Sequence, residues 1–561
     1  MKIINYFKNN KALIVILILA AVVRLWSLNN VPPHLTPDEA ALGYNAYSIL
    51  KTGRDEHGKL LPIVFKSFGD YKPGLYVYAT IPFVATLGLN EWSVRLPSAI
   101  SGIIIVYLLF LITKRLFNNS YDLSVVIALV AATNTWLITF SRGAWEVNLS
   151  LMLTLLGIYL FLKAIHSSYY LLPATVAFSA TFLAYQGAKL STGIIVLLLG
   201  IIYWKEFWKI ERKTIVKSVV LGLIISSPIL LSIVNGQSGR LEVFSVFSYP
   251  RSTEYVQNML NEGKEKIGGL NYYLYHGETY NFLRGVLGRF FNHFSGRFLF
   301  FEGDFSNPRH SPPYQGQLLL IDMVLLITGL VFVIRNYSLY PKSYSLIILW
   351  LVLAPLPAIL SRDQVHAVRS LNMAVPLVFI SSLGLYYLVN LFKSNKYRVF
   401  FYILYTIFYI LSFLYFLDAY FVHLPKHQSK LWEYGYKQIV ETVTPIQNNY
   451  KKVVVQQSFA QPYIYFLFFN KYDPAKYQRE NSYVNSENKL DVGYVTKIDN
   501  VYFEAIDWSR NRGDHGVLFV ADTLRIPPLD SNDEREFKLV KEIKYLDNLN
   551  KAIRIFEVKT K

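Results

Sequence analysis

The sequence predicts a polytopic α-helical membrane protein with about eleven spans, juxtamembrane helices in its first external loop and a small α/β domain at its C-terminal end. Three observations carry that prediction. Hydrophobic residues make up 53% of the 561 positions and the mean hydropathy is +0.29, too apolar for an ordinary soluble enzyme. Apolar runs of membrane-crossing length recur along residues 1–420 and are missing from 421–561. The lysines and arginines behind the net charge of +18 cluster in short loops between those runs, where the positive-inside rule accounts for them without nucleic acid. The chain has no cysteine, which excludes disulfides, thiolate metal sites and cysteine nucleophiles.

The runs fall near residues 12–28, 95–113, 122–140, 147–165, 169–186, 190–204, 216–234, 317–334, 344–360, 371–391 and 399–417. The first is followed by Asn29-Asn30-Val31-Pro32-Pro33 rather than a small-residue cleavage site, so it reads as an uncleaved signal anchor. Residues 74–89 are apolar but short for a span and interrupted by Pro82 and Gly88. Charge decides how to read them. If they do not cross, the basic loops at 114–115, 205–217 and 393–398 all face the cytoplasm; if they cross, most of these move outside. A juxtamembrane or re-entrant helix is therefore expected, within an external loop 29–93. The same topology puts the long loop 235–316 and the domain 421–561 outside a plasma membrane crossed many times by residues 1–420.

In the first loop, Thr36-Pro37-Asp38-Glu39 is a helix start: threonine as N-cap, proline at the first helical position and glutamate closing a capping box, with Gly53 as the stop. This explains Glu39 locally. It explains Asp38 only in part, because an acid in the first turn suits the helix dipole but other residues would serve. The functional reading makes Asp38 a base just outside the bilayer. Lys72, in the short proline-bounded turn Asp70-Tyr71-Lys72-Pro73, would be a phosphate-binding cation beside it.

Further along, Arg142 and Glu146 lie one helical turn apart between two spans, where they either pair with each other or serve a substrate. Arg369 follows Arg362, Asp363 and His366 at the edge of a span, and expects a partner: a lipid phosphate, Asp363 or the interface. The loop 235–316 is aromatic and basic, as interface-seeking segments are. It ends in Asn307-Pro308-Arg309-His310-Ser311-Pro312-Pro313, a rigid turn suited to capping a site. His310 and His366 are each read either as structural or as contacts to an acceptor, together with Tyr71. In the tail, residues 452–458, 463–469, 516–521 and 552–558 read as strands.

The sequence Pro37-Asp38-Glu39 after the first span, Tyr71-Lys72-Pro73-Gly74-Leu75-Tyr76, Glu91-Trp92-Ser93-Val94-Arg95-Leu96-Pro97-Ser98 and Ser141-Arg142 with an acid four residues on resemble the GT-C glycosyltransferases. The resemblance is to the bacterial branch of protein O-mannosyltransferases and lipid A aminoarabinose transferases, and is not evident in the tail. It implies a GT-C-like membrane domain that moves a hexose or pentose from a polyprenyl-phosphate sugar to a hydroxyl of a protein, lipid or glycan. It also implies that Asp38, with Glu39 beside it, is the catalytic base or orients the acceptor, that Lys72 binds the donor phosphate, and that Glu146 is the second functional acid. Arg142 and Arg369 would assist at the phosphate. Gly74 stands where the family often has a second proline, and Glu146 where it often has aspartate. One displacement inverts the sugar and needs no metal or other cofactor, although Asp38 and Glu39 leave room for a divalent cation. The competing readings are a polyprenyl-lipid transporter or flippase, against which stand the lack of an obvious internal repeat and the small number of mid-membrane charges, and a scaffold that displays the tail.

Overall fold

The computed structural model describes residues 10–236, 245–248, 250–392, 397–458, 460–480, 482–485, 493–526, 536–547, 549 and 551–559. Each of the eleven predicted apolar runs is helical there. Seven helices among the described residues are long and apolar enough to cross a membrane, and a bent pair, Tyr121–Thr133 with Thr135–Ser141, makes an eighth. The bend of 57° falls at Asn134, whose side chain accepts from Leu137 N (3.0 Å) and restarts the helix. The runs near 12–28, 169–186 and 190–204 form the shorter helices Lys11–Leu25, Ser168–Ala184 and Ala188–Ile202.

The helix Glu91–Leu116 is central, packed against Lys11–Leu25, Tyr121–Thr133 and Glu146–Ala164. Small residues set the closest approach. Helices Asp322–Asn336 and Ala374–Phe392 meet at Gly329 and Gly384, where an added Cβ would stand 2.0 Å from the Ile380 and Leu325 carbonyl oxygens respectively. The segment 74–89 forms the helix Leu75–Leu87, whose 13 residues are too few to span a hydrocarbon core of about 30 Å.

In the tail, Lys452–Gln456 is the parallel centre of a six-stranded sheet, flanked by Val501–Glu504 and Val517–Ala521. Lys551–Val558 and Phe537–Lys544 extend one side antiparallel, and Lys497–Ile498 the other. Both faces of the centre are covered: Val453 and Val455 pack with the helix Tyr436–Val443, and Val454 with Trp508 and Phe519.

One expected strand is a helix. Tyr463–Phe469 is buried on almost every side and wedged between that sheet and the helix Pro37–Thr52 of the first loop. A short run apolar at every position has no period to separate strand from helix, and the tertiary setting decides it. Tyr465 Oη donates to Leu35 O (3.1 Å), Tyr44 Oη to Tyr472 O (3.2 Å), and Lys437 Nζ pairs with Glu91 (2.8 Å). The tail and the first loop thus share one hydrophobic core and are held in fixed register.

Candidate functional site

The capping box expected at Thr36 is present: Thr36 Oγ1 accepts from Glu39 N (3.2 Å) and Glu39 Oε2 accepts from Thr36 N (2.9 Å). Glu39 does more than cap. Its Oε1 accepts from Arg95 Nε (3.0 Å) and Ala144 N (2.8 Å), in a fully enclosed setting. Arg95 in turn donates to the carbonyls of Leu28 and Pro32 (2.9 Å each) and His34 (2.7 Å). This ion pair ties three separate chain segments together beneath Asp38. Removing one partner strands the other: Arg95→Leu is expected to cost about 3–5 kcal/mol of stability, read as a lower melting temperature in detergent. The double change Arg95→Leu with Glu39→Gln should recover part of it.

Asp38, in the first turn of the same helix, points the other way. It lines a cavity of about 690 Å³ with Lys72, Glu146, Arg309, His310, His366 and Arg369. Lys72 is not in a turn, as the prolines suggested, but on the second strand of a hairpin, Val64–Ser67 and Asp70–Pro73. The turn is Phe68-Gly69, both with positive φ (53° and 82°), the backbone that right-twisted hairpins favour. Gly74 also acquires a reason. Its N–H donates to Ile63 O (2.9 Å), which proline could not do, and a Cβ there would lie 2.2 Å from the Phe65 ring.

The hairpin delivers the Lys72 ammonium directly onto Asp38 Oδ1, which accepts its hydrogen bond. Asp38 remains open to the cavity, with 56% of its side chain accessible. Enclosure by protein alone would raise its pKa, but the charge and hydrogen bond of Lys72, then Arg309, hold it below the usual carboxylate range. Burial alone would lower Lys72; the carboxylates of Asp38, Glu146 and Asp70 more than offset that and hold it above the usual range. The result is a charged acid–base pair on the wall of a polar cavity. Glu146 joins it as the first residue of the helix Glu146–Ala164.

The cavity lining also includes Arg369, whose Nη1 donates to Asp363 Oδ2 (3.3 Å), with His366, Arg362 and Arg309. His310 Nδ1 meets Asp304 Oδ2 at 2.8 Å, and burial lowers the pKa of both His310 and His366. Trp145, Tyr185 and Gln186 complete the enclosure. Tyr71 does not line the cavity; its carbonyl accepts from Gln186 Nε2 (2.9 Å).

The structure therefore brings together Asp38, Lys72, Glu146, Arg369, His310 and His366, and leaves out three expected site residues. Glu39 is committed to Arg95. Tyr71 faces elsewhere. Arg142 is wholly buried and donates to the carbonyls of Val23 (2.7 Å), Trp26 (2.7 Å) and Val31 (2.9 Å), with its guanidinium 4.5 Å from the Phe421 ring centre. It closes helix and loop ends near the first span and does not reach a phosphate in this cavity. Arg309, which lines the cavity, and Asp304, which holds His310, are additions to the expected site residues. For Arg309 a signal existed, since it adjoins His310 in the proline-rich turn; for Asp304 there was none.

The fold is similar to that of a solved membrane-protein structure, and one segment of the chain matches a family model in sequence. The family model of the dolichyl-phosphate-mannose-protein mannosyltransferases matches residues 72–231, which include Lys72 and Glu146. The solved structure of ArnT from Cupriavidus metallidurans bound to undecaprenyl phosphate aligns over 97% of both chains, with a TM-score of 0.53 and 11% identity. Archaeal oligosaccharyltransferase AglB from Archaeoglobus fulgidus, in complex with an inhibitory peptide and a dolichol-phosphate, aligns over 83% of this chain and 64% of its own, with a TM-score of 0.49 and 13% identity. No curated protein sequence matches the chain significantly.

Proposed function

We propose that this protein is an inverting membrane glycosyltransferase that moves a sugar from a polyprenyl-phosphate donor to a hydroxyl acceptor on the outer face of the membrane. One observation carries the reading: Lys72 and Asp38 are held in contact on the wall of a cavity that also gathers Glu146, Arg309, Arg362 and Arg369. The undecaprenyl phosphate bound to the ArnT structure is the kind of lipid carrier that a polyprenyl-phosphate donor releases when its sugar is transferred.

In this mechanism the acceptor oxygen attacks the anomeric carbon while the bond from that carbon to the phosphate oxygen breaks. The polyprenyl phosphate leaves with the electron pair, and the acceptor's proton passes to Asp38. Lys72 is shared between Asp38 and the leaving phosphate, where a fixed cation lowers the cost of the charge that develops. Arg309 and Arg369, which line the same cavity, add to that field. Glu146, beside both, suits a hydroxyl of the donor sugar or the acceptor. The isoprenoid chain stays among the apolar helices while its phosphate reaches the lysine.

Purified protein incubated with a panel of polyprenyl-phosphate sugars and membrane extract as acceptor source should release polyprenyl phosphate from one sugar and not from the others. Saturable donor binding with no release, extract present, would turn the assignment to a lipid transporter.

A further inference from the structure

At the edge of the cavity, where His310 and His366 line it, Asp304, His310 and His366 each present a ligand atom within 4.8 Å of the other two. They are 0%, 4% and 9% exposed. We propose that this cluster binds a divalent transition ion of the zinc class, separate from the acidic pair Asp38 and Glu39 and independent of whether sugar transfer is the reaction.

The carboxylate is already oriented as a ligand would be. Asp304 Oδ2 accepts from Ala367 N (2.7 Å) and Oδ1 from Asn307 N (2.9 Å), so backbone donors from two loops fix its plane. The His366 backbone is pinned from behind, where its N–H donates to His293 Nε2 (3.2 Å). His310 is seated at 2.8 Å from Asp304 and edge-on to Trp145, with ring centres 5.4 Å apart. The His310 and His366 rings stand 5.2 Å apart at 39°, tilted rather than stacked, which lets ring nitrogens converge. Ligand atoms around a tetrahedral zinc with bonds of about 2.0 Å lie roughly 3.3 Å apart, so small ring rotations suffice.

A hydrogen-bonded Asp304 and His310 pair, by itself, would account for two of the three residues. It gives no reason for a second buried imidazole at the same spot. Arg309 and Arg369 oppose a cation here, and Asp304 with Asp363, 3.9 Å from His366 Nε2, offset them. Two imidazoles with one carboxylate suit zinc, iron, nickel or copper rather than magnesium or calcium. Because His310 and His366 also line the cavity, a metal with three protein ligands would keep its remaining position towards it.

The test uses full-length protein stripped with a chelator, dialysed against micromolar zinc and analysed for metal content. Wild type should retain about one equivalent, and His310→Ala and His366→Ala should each lose most of it, while Asp38→Asn keeps it. Cobalt in place of zinc should give wild type the visible absorption of a four-coordinate imidazole site, a readout that needs no variant to fold. Wild type with no retained zinc and no cobalt band overturns the proposal. So does a full equivalent in the double variant His310→Ala/His366→Ala, or loss of zinc in Asp38→Asn with retention in the histidine variants.

Discussion

Asp38→Asn is expected to slow sugar transfer by about 10²–10⁴-fold at neutral pH while leaving the fold and the affinity for the lipid donor nearly unchanged. The size follows from the role: a positioned base that accepts the acceptor's proton as the glycosidic bond forms is worth that much, and asparagine keeps the shape without the basicity. Selectivity for rate follows from the geometry. Asp38 lies in the first helical turn with its side chain open to the cavity, so its contribution to the helix through the dipole is a few tenths of a kcal/mol to about 1 kcal/mol. The core of that helix start is the Thr36 and Glu39 capping box with Arg95, which the substitution does not touch. Lys72 remains, and without its carboxylate partner it grips a phosphate no less firmly. Single-turnover transfer and donor titration, run side by side, separate the two quantities. A rate within tenfold of wild type would remove Asp38 from the chemistry and return it to the plain helix-start residue that its neighbours also explain.

That plain reading shows where the sequence is informative. Signals that are local in the chain are legible. The capping box at Thr36, the stop at Gly53, the short helix after Gly74 and the apolar runs each depend on a few consecutive residues. The loop charges, although spread along the chain, add up to a topology, and that topology alone gathers Asp38, Lys72, Glu146 and Arg369 onto one side. Pairings across long separations are not legible. Arg142 looks like a substrate cation beside Glu146, yet its carbonyl partners belong to the first span and the loop after it, more than 100 residues earlier. Glu39 finds Arg95 56 residues away, and Asp304 finds the Ala367 amide 63 residues away. Nothing at the level of composition or spacing announces such contacts, because either member is chemically complete without the other. Tyr463–Phe469 fails for a different reason: a run apolar at every position carries no period, and only the sheet and helix packed around it determine its backbone.

Lys72→Gln should lower kcat/KM by about 10²–10³-fold, the usual loss when one preorganised donor to a developing oxyanion is removed. It should also move the acid side of the pH profile to higher pH. The second effect identifies the mechanism, because a merely structural lysine would not produce it. Two influences act on Asp38: enclosure, which raises its pKa, and the Lys72 charge and hydrogen bond, which with Arg309 pull it below the ordinary range. Without the ammonium, enclosure is opposed by Arg309 alone, so the carboxyl keeps its proton to higher pH and is unavailable as a base at pH values where wild type still works. The deficit of the variant is therefore larger at mildly acidic pH than at alkaline pH. Lys72→Arg keeps the positive charge and should keep the acid limb near its wild-type position, even where the longer, planar group places the phosphate less well and slows turnover. Profiles of kcat/KM for the three proteins against one lipid donor make the comparison. If Lys72→Gln loses rate equally at every pH, the lysine serves the phosphate alone and its contact with Asp38 does not tune the base. If it loses none, the cation that meets the donor is one of the other lining residues, Arg309, Arg362 or Arg369.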